Sequence, residues 1–197
     1  MTPRQAAIAR KTKETTIDLS LRLDGSGEVA ARTGIGFLDH MLDHLGKHSL
    51  CDISIAAKGD LHVDDHHTAE DVGICLGQAL TKALGDKAGI RRYGSASVPM
   101  DETLANVSLD LSGRACVVFN VRFGTGKIGA FDVQLVEEFI RAFAREGGIN
   151  LHVNVPYGAN DHHIAEAIFK ALAQALRQAK EIDPARKGQI PSTKGSL

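Results

Sequence analysis

Between residues 15 and 23, Ile17, Leu19, Leu21 and Leu23 alternate with Thr16, Asp18, Ser20 and Arg22. A period of two predicts a strand with one buried face. Asp24-Gly25-Ser26-Gly27 supplies hairpin-turn chemistry, so residues 28–32 are expected to return as the partner strand. Residues 37–47 read as a helix, with Phe37, Leu38, Met41, Leu42 and Leu45 on one stripe. Residues 51–57 form a further strand. Asp64 or Asp65 can cap a helix running from about residue 68 to 84. Its apolar stripe is Val72, Cys75, Leu76, Ala79, Leu80 and Ala83.

The second half repeats this order. Residues 104–111 alternate like the first strand, and 115–123 follow Ser112-Gly113. Residues 131–145 are helical, with Val133, Val136, Phe139, Ile140 and Phe143 inward. Residues 149–155 are a strand. Asp161 is expected to cap a helix to about residue 179, turning Ile164, Ala167, Ile168, Ala171, Leu172 and Leu176 inward. The expected fold is α+β: an internally duplicated unit of mostly antiparallel sheet packed against helices, as two fused half-domains. The repeats are drawn at 1–94 and 95–182, with a boundary near Gly94 to Pro99. A Pro- and Gly-bearing tail, 183–197, is ordered only where it makes contacts.

Composition narrows the function. The 197 residues carry 43% hydrophobic and 24% charged side chains and a formal net charge of -1. Such a balance provides no overall field for nucleic acid or a membrane surface, so an anion site must be local. No apolar run approaches the ~20 residues needed to span a bilayer. Residues 1–13 are polar and lack the apolar core of a secretory signal. Three cysteines, Cys51, Cys75 and Cys116, cannot all pair within one chain. Set among apolar residues, they read as buried reduced thiols, and the expected compartment is the cytoplasm.

The chemistry lies in a doubled pattern. His66-His67-Thr68-Ala69-Glu70 returns 96 residues later as His162-His163-Ile164-Ala165-Glu166. On a helix, spacings of three and four put the Glu on a face shared with the histidines. Imidazole with carboxylate suits borderline divalent ions. Adjacent helical residues point about 100° apart, so each His-His pair is better placed to serve two ions than one. His40 and the strand residue His152 complete a set of eight donors: His40, His66, His67, Glu70, His152, His162, His163 and Glu166. Four donors per ion for two ions leave positions open for water or substrate. His44 and His48 follow His40 at helical spacing and can reach substrate, while the role of His62 stays open.

Cationic residues form a second, dispersed group. Lys170 is one turn beyond Glu166, on the metal-facing side of its helix. Arg92, Arg114 and Lys194 stand far apart in sequence, and Pro191-Ser192-Thr193-Lys194-Gly195 combines hydroxyls with an ammonium, as a phosphate site requires. Neither a Walker loop nor a dinucleotide-binding glycine pattern is present.

These segments together resemble the imidazoleglycerol-phosphate dehydratase family of histidine biosynthesis. The matching segments are Thr12-Lys13-Glu14-Thr15, Gly36-Phe37-Leu38-Asp39-His40-Met41 and Asp65-His66-His67-Thr68-Ala69-Glu70-Asp71. They continue with Arg91-Arg92-Tyr93-Gly94, Asp110-Leu111-Ser112-Gly113-Arg114, Asn160-Asp161-His162-His163-Ile164-Ala165-Glu166-Ala167 and Ile190-Pro191-Ser192-Thr193-Lys194-Gly195. The resemblance implies a hollow shell of twenty-four subunits, with active sites at subunit interfaces and two manganese ions in each. It places His40, His67, His163 and Glu70 on one ion, and His66, His152, His162 and Glu166 on the other. Glu14, His40, His44, His48, Arg92, Arg114, Lys170, Ser192, Thr193 and Lys194 are implied substrate contacts. The family often has Gln where this chain has His44, which leaves that contact unassigned.

The implied reaction converts imidazoleglycerol phosphate to imidazole acetol phosphate and water. The proton lost from carbon is not beside a carbonyl, so the resemblance implies a dimetal-stabilised imidazolate that expels the neighbouring hydroxide. Glu14 is the first candidate for the base that takes the C–H proton, and Glu166 the second. Two rivals remain open from the sequence: a dinuclear phosphate-ester hydrolase, and a metal-storage shell, which would not need Glu14 or the dispersed cations.

Overall fold

The computed structural model describes residues 3–195 and residue 197. Met1 and Thr2 of the polar leading stretch and Ser196 of the expected tail lie outside the described residues. The first half runs β1 (Gln5–Lys11), β2 (Thr15–Arg22), β3 (Val29–Arg32), α1 (Gly36–Ser49), β4 (Asp52–Gly59) and α2 (His66–Leu84). The second runs β5 (Tyr93–Met100), β6 (Thr103–Asp110), β7 (Cys116–Asn120), short β8 (Lys127–Ile128) and β9 (Phe131–Asp132), α3 (Gln134–Gly147), β10 (Asn150–Tyr157) and α4 (Asp161–Lys180). A 3-10 turn, Pro184–Arg186, opens the tail.

The fold class is α+β as expected. The sheet orders are β1-β2-β4-β3 and β5-β6-β10-β7. In each sheet the first three neighbours pair antiparallel, and the last strand pairs parallel with its neighbour. The same local order thus folds twice into the same topology. Helices α1 and α2 cover the first sheet, and α4 covers the second. Across the halves α2 lies along α3 and α1 along α4, so the helices fill the centre and one apolar core runs through both halves. Gly73 and Gly77 permit the α2–α3 approach. A Cβ at Gly73 would lie 2.8 Å from the Phe139 carbonyl oxygen, and one at Gly77 2.6 Å from that of Phe143.

Several expectations change. Residues 28–32 do not pair back on β2; β3 runs parallel beside β4. The Asp52 carboxylate, at the start of β4, accepts from the backbone N–H groups of Ser26, Gly27 and Glu28 at 2.8, 3.0 and 3.0 Å. The turn is therefore captured by β4 and not closed as a hairpin. β1 and β5 were not anticipated. Both are edge strands with few large apolar side chains, β1 rich in Ala and β5 in Ser, Ala and Gly, and Pro99 is tolerated because an edge position leaves its missing N–H unneeded. The expected boundary near Gly94 to Pro99 lies inside β5. Helix α3 begins at Gln134, because Phe131 and Asp132 belong to β9. Cys51 and Cys75 are buried, but Cys116 is exposed, on an outward position of edge strand β7.

Candidate active site

Both His-His pairs sit in the first turn of a helix, each held there by a short polar side chain. Asn160 caps α4, its Oδ1 accepting from the N–H groups of His162 (2.9 Å) and His163 (3.4 Å). Asp161, the expected cap, instead accepts from the N–H groups of Gly124 and Thr125, both at 2.7 Å, and ties the β7–β8 loop to the helix. On α2, Asp64 accepts from the His66 N–H at 2.8 Å. Asp65 makes no cap hydrogen bond.

Because α1 lies along α4, His40 and His44 face Glu166. The ring nitrogens and carboxylate oxygens of His40, His162 and Glu166 lie within 4.8 Å of one another. Glu166 is 3.1 Å from His162 Nε2, and 3.4 Å from the Nε2 atoms of both His40 and His44. Lys170 Nζ donates to its other side at 2.5 Å. The Glu166 side chain is only 8% exposed. Burial pushes its carboxyl up, but the Lys170 ammonium, His44 and His162 outweigh burial and hold it at about 2. Glu166 is therefore anionic near neutrality. Burial drives His44 down to about 4, despite Glu166 beside it, so His44 is neutral there. His48 stacks on His44 at 5.8 Å and is shifted downward by the same burial.

The other expected ligands group differently. His67 Nδ1 is 3.1 Å from Asp60 Oδ2, and its Nε2 is 4.0 Å from Glu14 Oε1. His163 Nδ1 is 2.8 Å from Glu102 Oε2, and its Nε2 is 3.7 Å from Asp101 Oδ2. Each hydrogen-bonded carboxylate raises the pKa of its imidazole. Glu102, held by the N–H groups of Asn160 and Ala159 and by His163, lies well below the ordinary carboxylate range. Glu70 is paired with Arg145 at 3.5 Å, and His152 faces outward from β10. Among the described residues, then, one chain gathers His40 with His162 and Glu166 and, separately, His163 with Asp101 and Glu102, whereas His66, Glu70 and His152 join no such group. The grouping of His40 with His67 and His163 implied by the resemblance does not occur within a chain.

The cationic set divides as well. Arg92, Arg114, Ser192, Thr193 and Lys194 line one open hollow of about 770 Å³. Lys170 is not among them, being engaged by Glu166. Arg92 sits at a left-handed φ of 77°. Its guanidinium holds Asp110 through Nε (2.6 Å) and Nη2 (3.0 Å), and Nη1 donates to the Pro191 carbonyl at 2.7 Å. Arg92 is thus the clasp of the tail that carries Ser192 and Lys194. Asp60 and Glu102 carry no signal in the sequence, because isolated acidic residues have no spacing pattern, and Asp110 enters there only within the segment Asp110-Leu111-Ser112-Gly113-Arg114. Only the repeat offered one: Glu102 precedes β6 as Glu14 precedes β2.

The donor chemistry fits a divalent-ion site. Imidazole nitrogens and an ionised buried carboxylate converge, and carboxylates orient two further rings.

Comparison with known proteins agrees with this chemistry. Residues 33–176 match the family model for imidazoleglycerol-phosphate dehydratase. The chain is 59% identical over 194 residues to an imidazoleglycerol-phosphate dehydratase of Cereibacter sphaeroides, covering 98% of this chain and 100% of that one. It resembles the crystal structure of the Staphylococcus aureus enzyme with a TM-score of 0.83 at 40% identity, covering 91% of this chain and 99% of that one. A Pyrococcus furiosus structure of the same name matches with a TM-score of 0.83 at 36% identity, covering 96% and 100%. With its motifs matched in order over nearly the whole length, the chain belongs to the imidazoleglycerol-phosphate dehydratase family, hydro-lyases that dehydrate their substrate in histidine biosynthesis.

Proposed function

We propose that the chain performs this dehydration at a site with two Mn²⁺ ions, assembled between subunits of a large particle. The observation that carries the reading is the convergence of His40, His162 and the anionic Glu166 from helices far apart in sequence. His66, His67, Glu70, His152 and His163 are the remaining donors. Because one chain does not gather all eight, neighbouring subunits complete the set, in a shell of twenty-four. The ions, when bound, supply Lewis-acid stabilisation of negative charge on the substrate's imidazole ring.

The protein's own groups do the rest. Arg114, Ser192, Thr193 and Lys194, with the tail clasped by Arg92, hold the phosphate, and Lys170 meets the substrate beside Glu166. His44 and His48 offer neutral imidazoles as hydrogen-bonding partners to substrate. Glu14 lies in the β1–β2 turn with 55% of its side chain exposed. The neighbouring hydroxyl departs as hydroxide, Glu14 takes the proton from the adjacent carbon and passes it to that hydroxide so that water forms, and the resulting enol ketonises to imidazole acetol phosphate. Glu166 is the alternative base, although its many contacts favour a holding role. The exposed Cys116 thiol and the two buried ones suit a reducing cytoplasm. Among the described residues no helix is long and apolar enough to cross a membrane. The shared strand order supports two repeats, drawn at 1–94 and 95–182, followed by the tail 183–197.

The test combines metal analysis, particle mass and kinetics. The wild type is expected to carry about two manganese per chain in a very large particle, a count set by eight donors shared between two ions. Glu14→Gln should keep that metal and lose the common contribution of general-base catalysis, roughly 10²–10⁴-fold in kcat. Near-normal turnover in Glu14→Gln would remove Glu14 as the base, and a metal-free monomer that dehydrates the substrate would end the dimetal reading.

A further inference from the structure

The two His-His pairs are oriented by carboxylates from different places in the repeat. In the second half Glu102, just before β6, holds His163 Nδ1 at 2.8 Å. The matching place in the first half, just before β2, belongs to Glu14, which comes no closer than 4.0 Å to His67 Nε2. There the holding carboxylate is Asp60, just after β4, with both oxygens near His67 Nδ1 at 3.2 and 3.1 Å. The residue just after β10, at the place matching Asp60, is Gly158. A Cβ at Gly158 would lie 2.8 Å from Ile164 Cγ1 and 2.8 Å from Thr103 Oγ1. Any side chain there would have to displace Ile164 and Thr103, and the carboxylate that holds His163 comes from Glu102 instead.

We propose that Asp60 and Glu102 are positioning residues that fix His67 and His163 with Nδ1 protonated and Nε2 free to bind an ion. The exchange of roles between the repeats also leaves the Glu14 carboxylate, among the described residues, with only its 4.0 Å approach to His67 Nε2. Each carboxylate accepts the Nδ1–H, which leaves the Nε2 lone pair as the only ligating position on that ring. Glu102 is itself held by the N–H groups of Asn160 (2.9 Å) and Ala159 (3.1 Å) through Oε1, which leaves Oε2 for the imidazole. The inference rests on the dimetal reading above and adds the residues that set the two tautomers.

Glu102→Gln separates positioning from folding. Its amide oxygen can keep the two backbone N–H bonds, while its NH₂ group faces His163 Nδ1. Nδ1 must then accept, the proton moves to Nε2, and the ring cannot ligate. Manganese binding to the full-length particle would be followed by the electron paramagnetic resonance signal of free Mn²⁺, with melting of the metal-free protein as the folding control. Glu102→Gln and Asp60→Asn are each expected to weaken Mn²⁺ binding roughly 10- to 100-fold, the usual cost of losing an orienting partner, with little change in melting. Asp101→Asn, on the Nε2 side of His163, is expected to leave the Kd within about twofold, since Asp101 makes no hydrogen bond to the ring at 3.7 Å. A Kd unchanged in both Glu102→Gln and Asp60→Asn overturns the inference. An equal loss in Asp101→Asn and Glu102→Gln also overturns it, because Glu102 would then act within a carboxylate ligand cluster. A wild type that binds no manganese would instead remove the dimetal reading itself. If Glu102→Gln does not fold, the Asp60→Asn result decides.

Discussion

Replacing Arg92 by Lys tests whether the tail is part of the substrate site. The Arg92 side chain is 12% exposed and its Asp110 partner 19%. Three donors are in use, two on Asp110 and one on the Pro191 carbonyl. A lysine places all its N–H donors on one atom, so it can satisfy Asp110 or the Pro191 carbonyl but cannot span both. The loss is at least one charge-assisted hydrogen bond in a partly buried setting, about 1.5–3 kcal/mol. Gln189 accepts from the Gly89 N–H at 2.9 Å, and that bond remains, so the tail loosens from Pro191 outward. If the tail must dock for substrate to bind, KM should rise by up to roughly 10- to 150-fold, the same energy expressed as an equilibrium constant. The kcat at saturation should stay near wild type, because bound substrate pulls the tail closed. Initial-rate kinetics, with amide exchange over residues 189–195, checks both halves of the argument. A KM within about twofold of wild type alongside an unprotected tail would refute the link between tail and site. Unchanged exchange would refute the clasp itself.

Gly94→Ala places a Cβ 1.8 Å from the Ala175 carbonyl oxygen. An ordinary Cβ contact lies at 3.4–4 Å, so β5 must move away from α4 at a cost of about 1–3 kcal/mol, lowering Tm by at least about 2 °C; a Tm within about 1 °C of wild type would contradict that packing. Asp52 is pushed up by burial, but the N–H of Glu28, the Arg22 guanidinium and the N–H of Ser26 outweigh burial and hold it at about 2. Because its folded value lies below the ordinary 3.8, its contribution is full above that value and is lost as pH falls through about 2. Urea unfolding of the metal-free protein between these limits should therefore show a steeper acid loss in wild type than in Asp52→Asn, and equal slopes would exclude it. Dialysis against a chelator should remove manganese and activity together, with Mn²⁺ restoring both; full activity in stripped protein would count against a metal role.

Much of the architecture was legible in the chain because it rests on local periodicity. Ile17, Leu19 and Leu21 announce β2, and the stripe from Val72 to Ala83 announces α2, because one face of each must leave water. The doubled His-His-x-x-Glu pattern was equally visible, and helical spacing does bring Glu166 to His162, whereas Glu70 turns to Arg145 instead of to its histidines. The edge strands β1 and β5 escaped notice because an edge needs no strong alternation. The parallel course of β3 escaped it because Asp52, distant in sequence, decides where the turn goes. Pairings across elements were equally hidden. Nothing in the spacing says that His40 meets His162 and Glu166, that Asp60 and Glu102 hold the second histidine of each pair, or that Arg92 clasps the tail at Pro191. The strongly alternating strands and the apolar-striped helices were readable along the chain, because they follow from solvation and helix geometry a few residues at a time. Which side chains meet was left to packing, because it depends on how the helices lie between the two larger sheets, where contacts join residues a hundred positions apart.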